Sequence, residues 1–205
     1  MDPLITPDAL TIAITGHRPK DLLTATGAPL DLGPAIAAFF ARACARARAR
    51  EVDRVRVITG GALGVDQALA EAVSANRFWE GITFESVIVL PFPVEVLGGR
   101  WQPADRARLA HLVEIADEVR GPLMEQYAVW GLLKRNEAMV DGADILIAFW
   151  SGKREGGTYA CLRYALTKAV PPRQAWNALA DFAPIHLADL GLPPPRRRAA
   201  AEIPA

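Results

Sequence analysis

Two glycine-rich turns hold the residues best suited to bind a phosphate group. They contain Gly60, Gly61 and Gly64 in "VITGGALGVD", and Gly156, Gly157 and Thr158 in "SGKREGGT". Glycine lets the backbone approach a ligand closely, and a helix that begins after such a turn offers free N–H groups to an anion. The first turn follows neither of two common nucleotide-binding patterns, G-x-x-x-x-G-K-[ST] and G-x-G-x-x-G. Together the two turns predict a phosphate-containing ligand, such as a nucleotide or a sugar phosphate.

A third turn, "TGHRP", adds a cation and an imidazole to these candidates. Gly16 allows a sharp turn, after which His17 and Arg18 follow the end of a predicted strand. A guanidinium beside an imidazole suits a phosphate or a carboxylate. The alternative is an ordinary loop in which His17 bonds a backbone carbonyl and Arg18 is solvated. Position alone does not separate these two interpretations.

Further polar residues fall on two predicted helices. Asp66 lies in the first turn of one helix, where a carboxylate either complements the helix dipole or contacts a ribose hydroxyl. Arg135 and Asn136 lie in the middle of another helix, where Asn is a mediocre helix former. We predict Asp66 and Asn136 as ligand contacts, and Arg135 and Glu137 as candidate catalytic residues. Trp101 either stacks on a base or packs at a pocket rim.

Apolar runs that alternate with helix-like segments predict an α/β fold. The predicted strands are residues 10–15, 55–59, 85–92, 117–121 and 144–150, and the predicted helices are residues 33–50, 65–75, 103–115, 129–140 and 158–169. The strand runs are continuous rather than alternating, as expected for a mainly parallel sheet of five or more strands with helices on both faces. Ligands bind such sheets beyond the carboxyl ends of the strands, which is where the three turns fall.

Composition narrows the class of protein. The 205 residues are 51% hydrophobic and 22% charged, which is typical of one soluble globular domain. Lys and Arg number 23, as do Asp and Glu, and this balance argues against a dedicated nucleic-acid-binding domain. Without an apolar run of membrane-spanning length or a signal-peptide pattern, a cytoplasmic protein is expected. Cys44 and Cys161 lack metal-ligand spacing, which predicts buried thiols and no metal site.

The chain changes character after residue 170. Residues 171–205 are rich in Pro and Ala, and within them "APIHLADL" predicts an edge strand and "PPPRRR" an extended, solvated end. We therefore expect a ligand-binding domain at residues 1–170 and a C-terminal extension at residues 171–205 that is partly extended or flexible.

Several motifs resemble the SLOG superfamily, and among its branches the YpsA-like proteins. They are "TGHRP", "GGALGVD", "PF" followed by a Trp, "KRNEAMVDGADILIAFWSGKREGGT" and a following "YA", in that order over residues 11–169. The resemblance implies a Rossmann-like fold that binds nucleotides or nucleotide-derived ligands. The superfamily also includes the LOG-type cytokinin-activating phosphoribohydrolases and the DprA-type proteins that bind single-stranded DNA.

The LOG-type resemblance carries over only in part. Those enzymes use an Arg on the helix before the last motif strand, and Arg135 is in the matching place. In their P-G-G-x-G-T-x-x-E motif the glycines and the Thr hold phosphate, a part matched here by Gly156, Gly157 and Thr158. Their catalytic Glu is Cys161 in this chain, and a thiol cannot replace a carboxylate that moves a proton at neutral pH. One of three other carboxylates would have to substitute: Asp66, Glu71 or Glu137.

Three functions follow, in order of preference. The first is a sensor or regulatory protein that binds a nucleotide or nucleotide-sugar ligand related to AMP, NAD or ADP-ribose. The second is a hydrolase of an N-glycosidic or phosphate bond in such a ligand. The third is single-stranded DNA binding through Arg42, Arg46 and Arg50, although such a helical stripe is more often a solvated charged face. Five Trp residues leave room for an apolar interface, so a homo-oligomer stays open.

Overall fold

The computed structural model of the chain describes residues 8–167 and 174–193. Its strands are β1 (Leu10–Gly16), β2 (Arg54–Thr59), β3 (Phe78–Trp79), β4 (Ile82–Val89), β5 (Glu118–Arg120), β6 (Ile145–Phe149), β7 (Gln174–Asn177) and β8 (Ala183–Pro184). Its helices are α1 (Gly33–Ala49), α2 (Val65–Ala75), α3 (Val94–Leu97), α4 (Pro103–Ile115), α5 (Val129–Asp141) and α6 (Gly156–Thr167). Within this described part, no helix has the length and apolar character needed to cross a membrane.

The strands form one mainly parallel sheet. Their order is β3-β4-β2-β1-β6-β7-β8. The short strand β5 pairs in parallel with the last three residues of β4. Only the β3–β4 and β7–β8 pairs among the described strands are antiparallel. The strands that follow β1 in the chain, β2 to β5, lie on one side of β1, whereas β6 to β8 lie on its other side. Such a reversal of strand order opens a crevice beyond the carboxyl ends of the strands. The turns that follow β1 and β6 therefore meet at this crevice.

Helices cover both faces of the sheet. Ile12 and Ile14 of β1 pack in one apolar cluster with Phe39 and Phe40 of α1. Ala13 of the same strand packs on the opposite face, in a cluster that includes residues of α5 and α6. Both faces of β1 are thus buried, which explains its continuous apolar run and confirms the predicted α/β fold.

The third predicted strand is displaced along the chain. It was expected at residues 85–92, whereas β4 spans Ile82–Val89, and its first two residues pair in antiparallel with β3. Leu90 and Phe92 are apolar for another reason, because they pack in a cluster beside Leu109 and Leu112 of α4. Apolar character alone does not distinguish a buried loop from the end of a strand.

The sequence did not predict β7. It pairs in parallel with β6, while the edge strand expected in "APIHLADL" is reduced to the two residues of β8. The side chain of Asn177 joins the end of β7 to the residue after β6. Its Oδ1 accepts a hydrogen bond from the N–H of Trp150 at 3.2 Å, and its Nδ2 donates to the carbonyl of Trp150 at 2.8 Å. The division into a domain and a C-terminal extension stays a prediction, and residues 194–198 of the "PPPRRR" stretch lie outside the described residues.

Candidate functional site

A cavity of about 490 Å³ lies at the carboxyl ends of β1 and β6, where the strand order reverses. Its lining brings together these predicted site residues: Gly16, His17, Arg18, Asp66, Arg135, Asn136, Gly156, Gly157 and Thr158. The lining does not include Gly60, Gly61, Gly64 or Glu137. The position of the cavity is the one expected for a ligand site in a doubly wound sheet.

The N-terminus of α6 forms one polar end of the cavity. A Cβ atom added at Gly156 or Gly157 would meet no atom within 4 Å, so the backbone there is open to a ligand. Thr158 is only 4% exposed, yet its hydroxyl has no hydrogen-bond partner among residues 8–167 and 174–193. The first N–H groups of a helix lack intrahelical acceptors and carry partial positive charge. This end of the cavity therefore has the features of helix N-termini that bind anions.

The turn after β1 contributes a cation and an imidazole to the lining of the same cavity. Arg18 is exposed and forms no ion pair with any described residue. His17 is buried, and its Nε2 lies 3.1 Å from the hydroxyl oxygen of Ser151. Burial lowers the pKa of His17, although the nearby Asp21 carboxylate opposes this change. At neutral pH the cavity therefore faces an uncharged imidazole and one unpaired guanidinium.

The glycine turn before α2 is closed by the chain itself. The N–H groups of Gly60 and Ala62 donate to Oδ2 of Asp66 at 3.1 and 3.3 Å. Gly64 has φ of +98°, and a Cβ atom there would lie 2.7 Å from the carbonyl oxygen of His17. Gly61 also has a positive φ, of +67°, and packs against Leu109. These glycines let the turn pack closely behind the cavity wall, and their predicted phosphate contact stays a prediction.

A buried ion pair lies at the centre of the site. Arg135 Nη1 is 3.6 Å from Asp66 Oδ2, and the two side chains are 9% and 7% exposed. The same nitrogen donates to the carbonyl of Gly60, and Arg135 Nε donates to Asn136 Oδ1 at 3.0 Å. Asn136 in turn donates to the carbonyl of Gly157 at 3.2 Å. The amide of Asn136 thus links Arg135 to the start of α6, which accounts for an Asn in the middle of a helix.

Asp66 is the one of the three proposed substitute carboxylates that lines the cavity. Burial raises the pKa of Asp66, and the Arg135 guanidinium and the two backbone N–H donors oppose this change. Glu71 instead pairs with Arg108. Glu137 is half-buried outside the lining, so its catalytic role stays a prediction.

Cys161, at the position of the LOG-type Glu, is buried and unpaired, as predicted. Burial raises the pKa of its thiol to about 12, so the thiol is protonated at neutral pH. A neutral thiol of this kind packs as an apolar group and does not exchange protons with a ligand. Within the described part of the chain, no group of three or more His, Cys, Asp and Glu side chains is placed to hold a metal ion.

One wall of the cavity is apolar. Its residues are Leu97, Trp101, Val129, Leu132, Leu133 and Met139. Apart from Trp101, sequence analysis did not assign them to the site. The signal was present on α5, where Leu132, Asn136 and Met139 follow helical spacing and share one face. A lining that combines apolar side chains with a helix N-terminus suits a ligand with an aromatic group and a phosphate.

His17 makes the stability of the fold depend on pH. The pKa of His17 is lower in the folded chain than its ordinary value of 6.5, so below pH 6.5 the unfolded chain takes up a proton more readily than the folded chain. We expect the free energy of unfolding to fall as the pH falls from 7.5 to 5. We expect a smaller fall in His17→Gln, measured by urea unfolding at several pH values. Equal slopes for the two proteins would contradict this assignment.

The sequence profile of the YspA SLOG family matches residues 12–171, a range that includes the whole lining of the cavity. The chain belongs to the YspA SLOG family. This SLOG chain is 29% identical over 141 residues to the uncharacterized SPbeta prophage-derived protein YoqJ of Bacillus subtilis (strain 168), an alignment that covers 63% of the chain and 80% of YoqJ. The predicted family is therefore confirmed.

Solved structures of DNA processing protein A (DprA) resemble this SLOG chain. DprA from Streptococcus pneumoniae has a TM-score of 0.52 at 14% identity, over 83% of the chain and 50% of DprA. DprA from Helicobacter pylori, described as having a unique single-stranded DNA binding mode, has a TM-score of 0.47 at 17% identity, over 80% of the chain and 62% of that protein. The SLOG chain thus spans about half the length of S. pneumoniae DprA. At this identity the likeness shows the Rossmann-like fold alone.

Proposed function

We propose that the cavity binds a nucleotide-derived, phosphate-containing ligand of the AMP, NAD or ADP-ribose class, and that the protein acts as a sensor or regulator. One observation carries the proposal: the open N-terminus of α6, Arg18 and an apolar wall line the same cavity. The hydroxyl of Thr158 has no hydrogen-bond partner, and Arg18 has no ion-pair partner, among the described residues. The helix terminus and Arg18 suit a phosphate, and the wall with Trp101 suits a base.

The core of the site supports the same ligand class. Arg135 has N–H groups beyond those that bond Gly60 and Asn136, and it lines the cavity. The hydrogen bonds from Gly60 and Ala62 both end on Oδ2 of Asp66, which leaves Oδ1 as an acceptor for a sugar hydroxyl. A ribose between the phosphate and the base would lie beside these groups.

Titration calorimetry with AMP, NAD and ADP-ribose tests the proposal. We expect measurable binding of at least one of these compounds, and an affinity about tenfold lower in Arg18→Ala, because a charge-assisted contact to phosphate is lost. Lys134→Ala is the matched control, since Lys134 lies over the ring of Trp130 and does not line the cavity. Failure of all three compounds to bind the unaltered protein would overturn the proposal.

A second function, hydrolysis of the same ligand, is favoured by the buried Asp66 carboxyl beside Arg135. In that reaction water replaces the base at the ribose carbon, Asp66 accepts the proton of the water, and Asp66 then passes this proton to the leaving base. Incubation of each nucleotide with the protein, followed by mass spectrometry, should then release a free base. Asp66→Asn should abolish that release. If the unaltered protein leaves every nucleotide intact, binding remains as the function.

DNA binding gains no support from the arginine stripe on α1. Arg42 pairs with Asp181 at 2.7 Å, and Arg50 pairs with Asp144 at 3.0 Å. The guanidinium of Arg46 lies 3.9 Å from the ring centre of Trp176. These arginines therefore attach α1 to neighbouring segments of the chain. A single-stranded oligonucleotide belongs in the binding panel, because a DNA-binding protein would show affinity that falls steeply with salt.

A further inference from the structure

The mouth of the cavity carries a small ion-pair cluster that the proposed ligand site does not explain. Lys153 Nζ lies 2.8 Å from Asp21 Oδ1 and 3.0 Å from Glu155 Oε1. All three residues line the cavity, Asp21 from the segment after β1 and the other two from the segment after β6. The cluster therefore joins two segments at the mouth and includes more carboxylates than cations.

Counting the charges that line the cavity shows which of them a ligand could neutralise. Arg135 is paired with Asp66, and Lys153 is paired with the two carboxylates at the mouth. Arg18 and Lys20 line the cavity without an ion-pair partner in the described residues. The hydrogen bond from Lys153 lowers the pKa of Asp21, so this carboxylate stays ionised at neutral pH. The cavity thus offers two cations without ion-pair partners among the described residues, Arg18 and Lys20. Its mouth carries two carboxylates, Asp21 and Glu155, that share the single cation of Lys153.

We infer that the site selects ligands with about two negative charges, a phosphomonoester such as AMP or a diphosphate diester such as ADP-ribose, and that Asp21 and Glu155 exclude nucleoside triphosphates. This inference rests on the proposed function and deepens it. The phosphate of AMP is matched by Arg18, Lys20 and the N-terminus of α6. A triphosphate carries about two further negative charges, and its chain would extend toward the carboxylates at the mouth, where like charges repel.

Titration calorimetry at fixed ionic strength tests the charge limit. AMP, ADP-ribose and ATP are compared without divalent cations, because magnesium would neutralise part of the charge of ATP. We expect the unaltered protein to bind AMP more tightly than ATP by about tenfold or more. The double variant Asp21→Asn, Glu155→Gln should bring the affinities for AMP and ATP closer together, mainly by raising the affinity for ATP. Lys153→Met should widen the difference, because it leaves both carboxylates uncompensated.

The control is Glu114→Gln, which removes an exposed carboxylate from α4, outside the cavity, and should leave the ratio of affinities unchanged. Equal affinities for AMP and ATP in the unaltered protein would overturn the inference while leaving the proposed function intact. So would an unchanged ratio in the double variant. If AMP, ADP-ribose and NAD all fail to bind, the proposed function fails and the charge limit fails with it.

Discussion

Arg135→Ala is expected to lower the free energy of unfolding by about 3–5 kcal/mol, because it removes one partner of a buried ion pair. Asp66, whose side chain is 7% exposed, would lose the cation that opposes the rise of its pKa on burial, so it would be left either charged without a partner or protonated. The carbonyl of Gly60 would lose a hydrogen bond, and Asn136 would lose the contact that links it to the centre of the site. The same variant should lose measurable ligand binding, because Arg135 lines the cavity.

Urea unfolding at pH 7 measures the change in stability, and a second variant separates the charge from the packing. In the double variant Asp66→Asn, Arg135→Ala the carboxylate is replaced by a neutral amide that still accepts hydrogen bonds from Gly60 and Ala62. We expect this protein to recover part of the lost stability, with a coupling free energy of about 1–3 kcal/mol in the double-mutant cycle. Additive losses from the two single variants would show that the pair is not coupled.

Gly64→Ala is expected to lower the free energy of unfolding by about 2–4 kcal/mol through the backbone alone. Gly64 precedes α2 with φ of +98° and ψ of −122°, a conformation that side chains with a Cβ atom rarely adopt. The added Cβ would also lie 2.7 Å from the carbonyl oxygen of His17, a backbone atom that cannot rotate away. The turn after β1 or the start of α2 would have to move, and both border the cavity.

Gly157→Ala is the matched comparison, measured in the same thermal and urea unfolding experiments. Gly157 has no positive φ, and a Cβ atom there would meet nothing within 4 Å. We expect its midpoint of unfolding to stay the same or rise slightly, because Ala is a better helix former than Gly. Its ligand affinity should nevertheless fall, because the methyl group would occupy the space where a phosphate approaches α6. Equal loss of stability in the two variants would contradict the distinct roles of these glycine turns.

The sequence alone predicted much of the fold because its elements follow simple patterns. The helices at residues 65–75 and 103–115 match α2 and α4 at both ends. The continuous apolar runs predicted strands buried on both faces, and β1 and β6 have this burial. The position of a site at the carboxyl ends of the strands followed from the alternation of strands and helices. These features depend on periodicity and on chain order, which are properties of the sequence.

Pairings between distant segments could not be predicted in this way. β7 has four residues and pairs in parallel with β6, and the Asn177 side chain bonds the backbone of Trp150, which follows β6. The two glycine turns look alike in the sequence, yet of their glycines only Gly156 and Gly157 line the cavity. In the other turn Asp66 accepts hydrogen bonds from the N–H groups of Gly60 and Ala62, and the backbone at His17 packs against Gly64.

The sequence by itself therefore determined the family, the layered α/β architecture and the edge of the sheet where a ligand would bind. The tertiary structure decided which candidates face that ligand. It made Asp66, which was predicted as a ligand contact, the buried partner of Arg135, and it left Arg18 without an ion-pair partner among the described residues. The physical reason is that a side chain's role depends on its burial and its charged neighbours, and both are set by contacts between residues far apart in the chain.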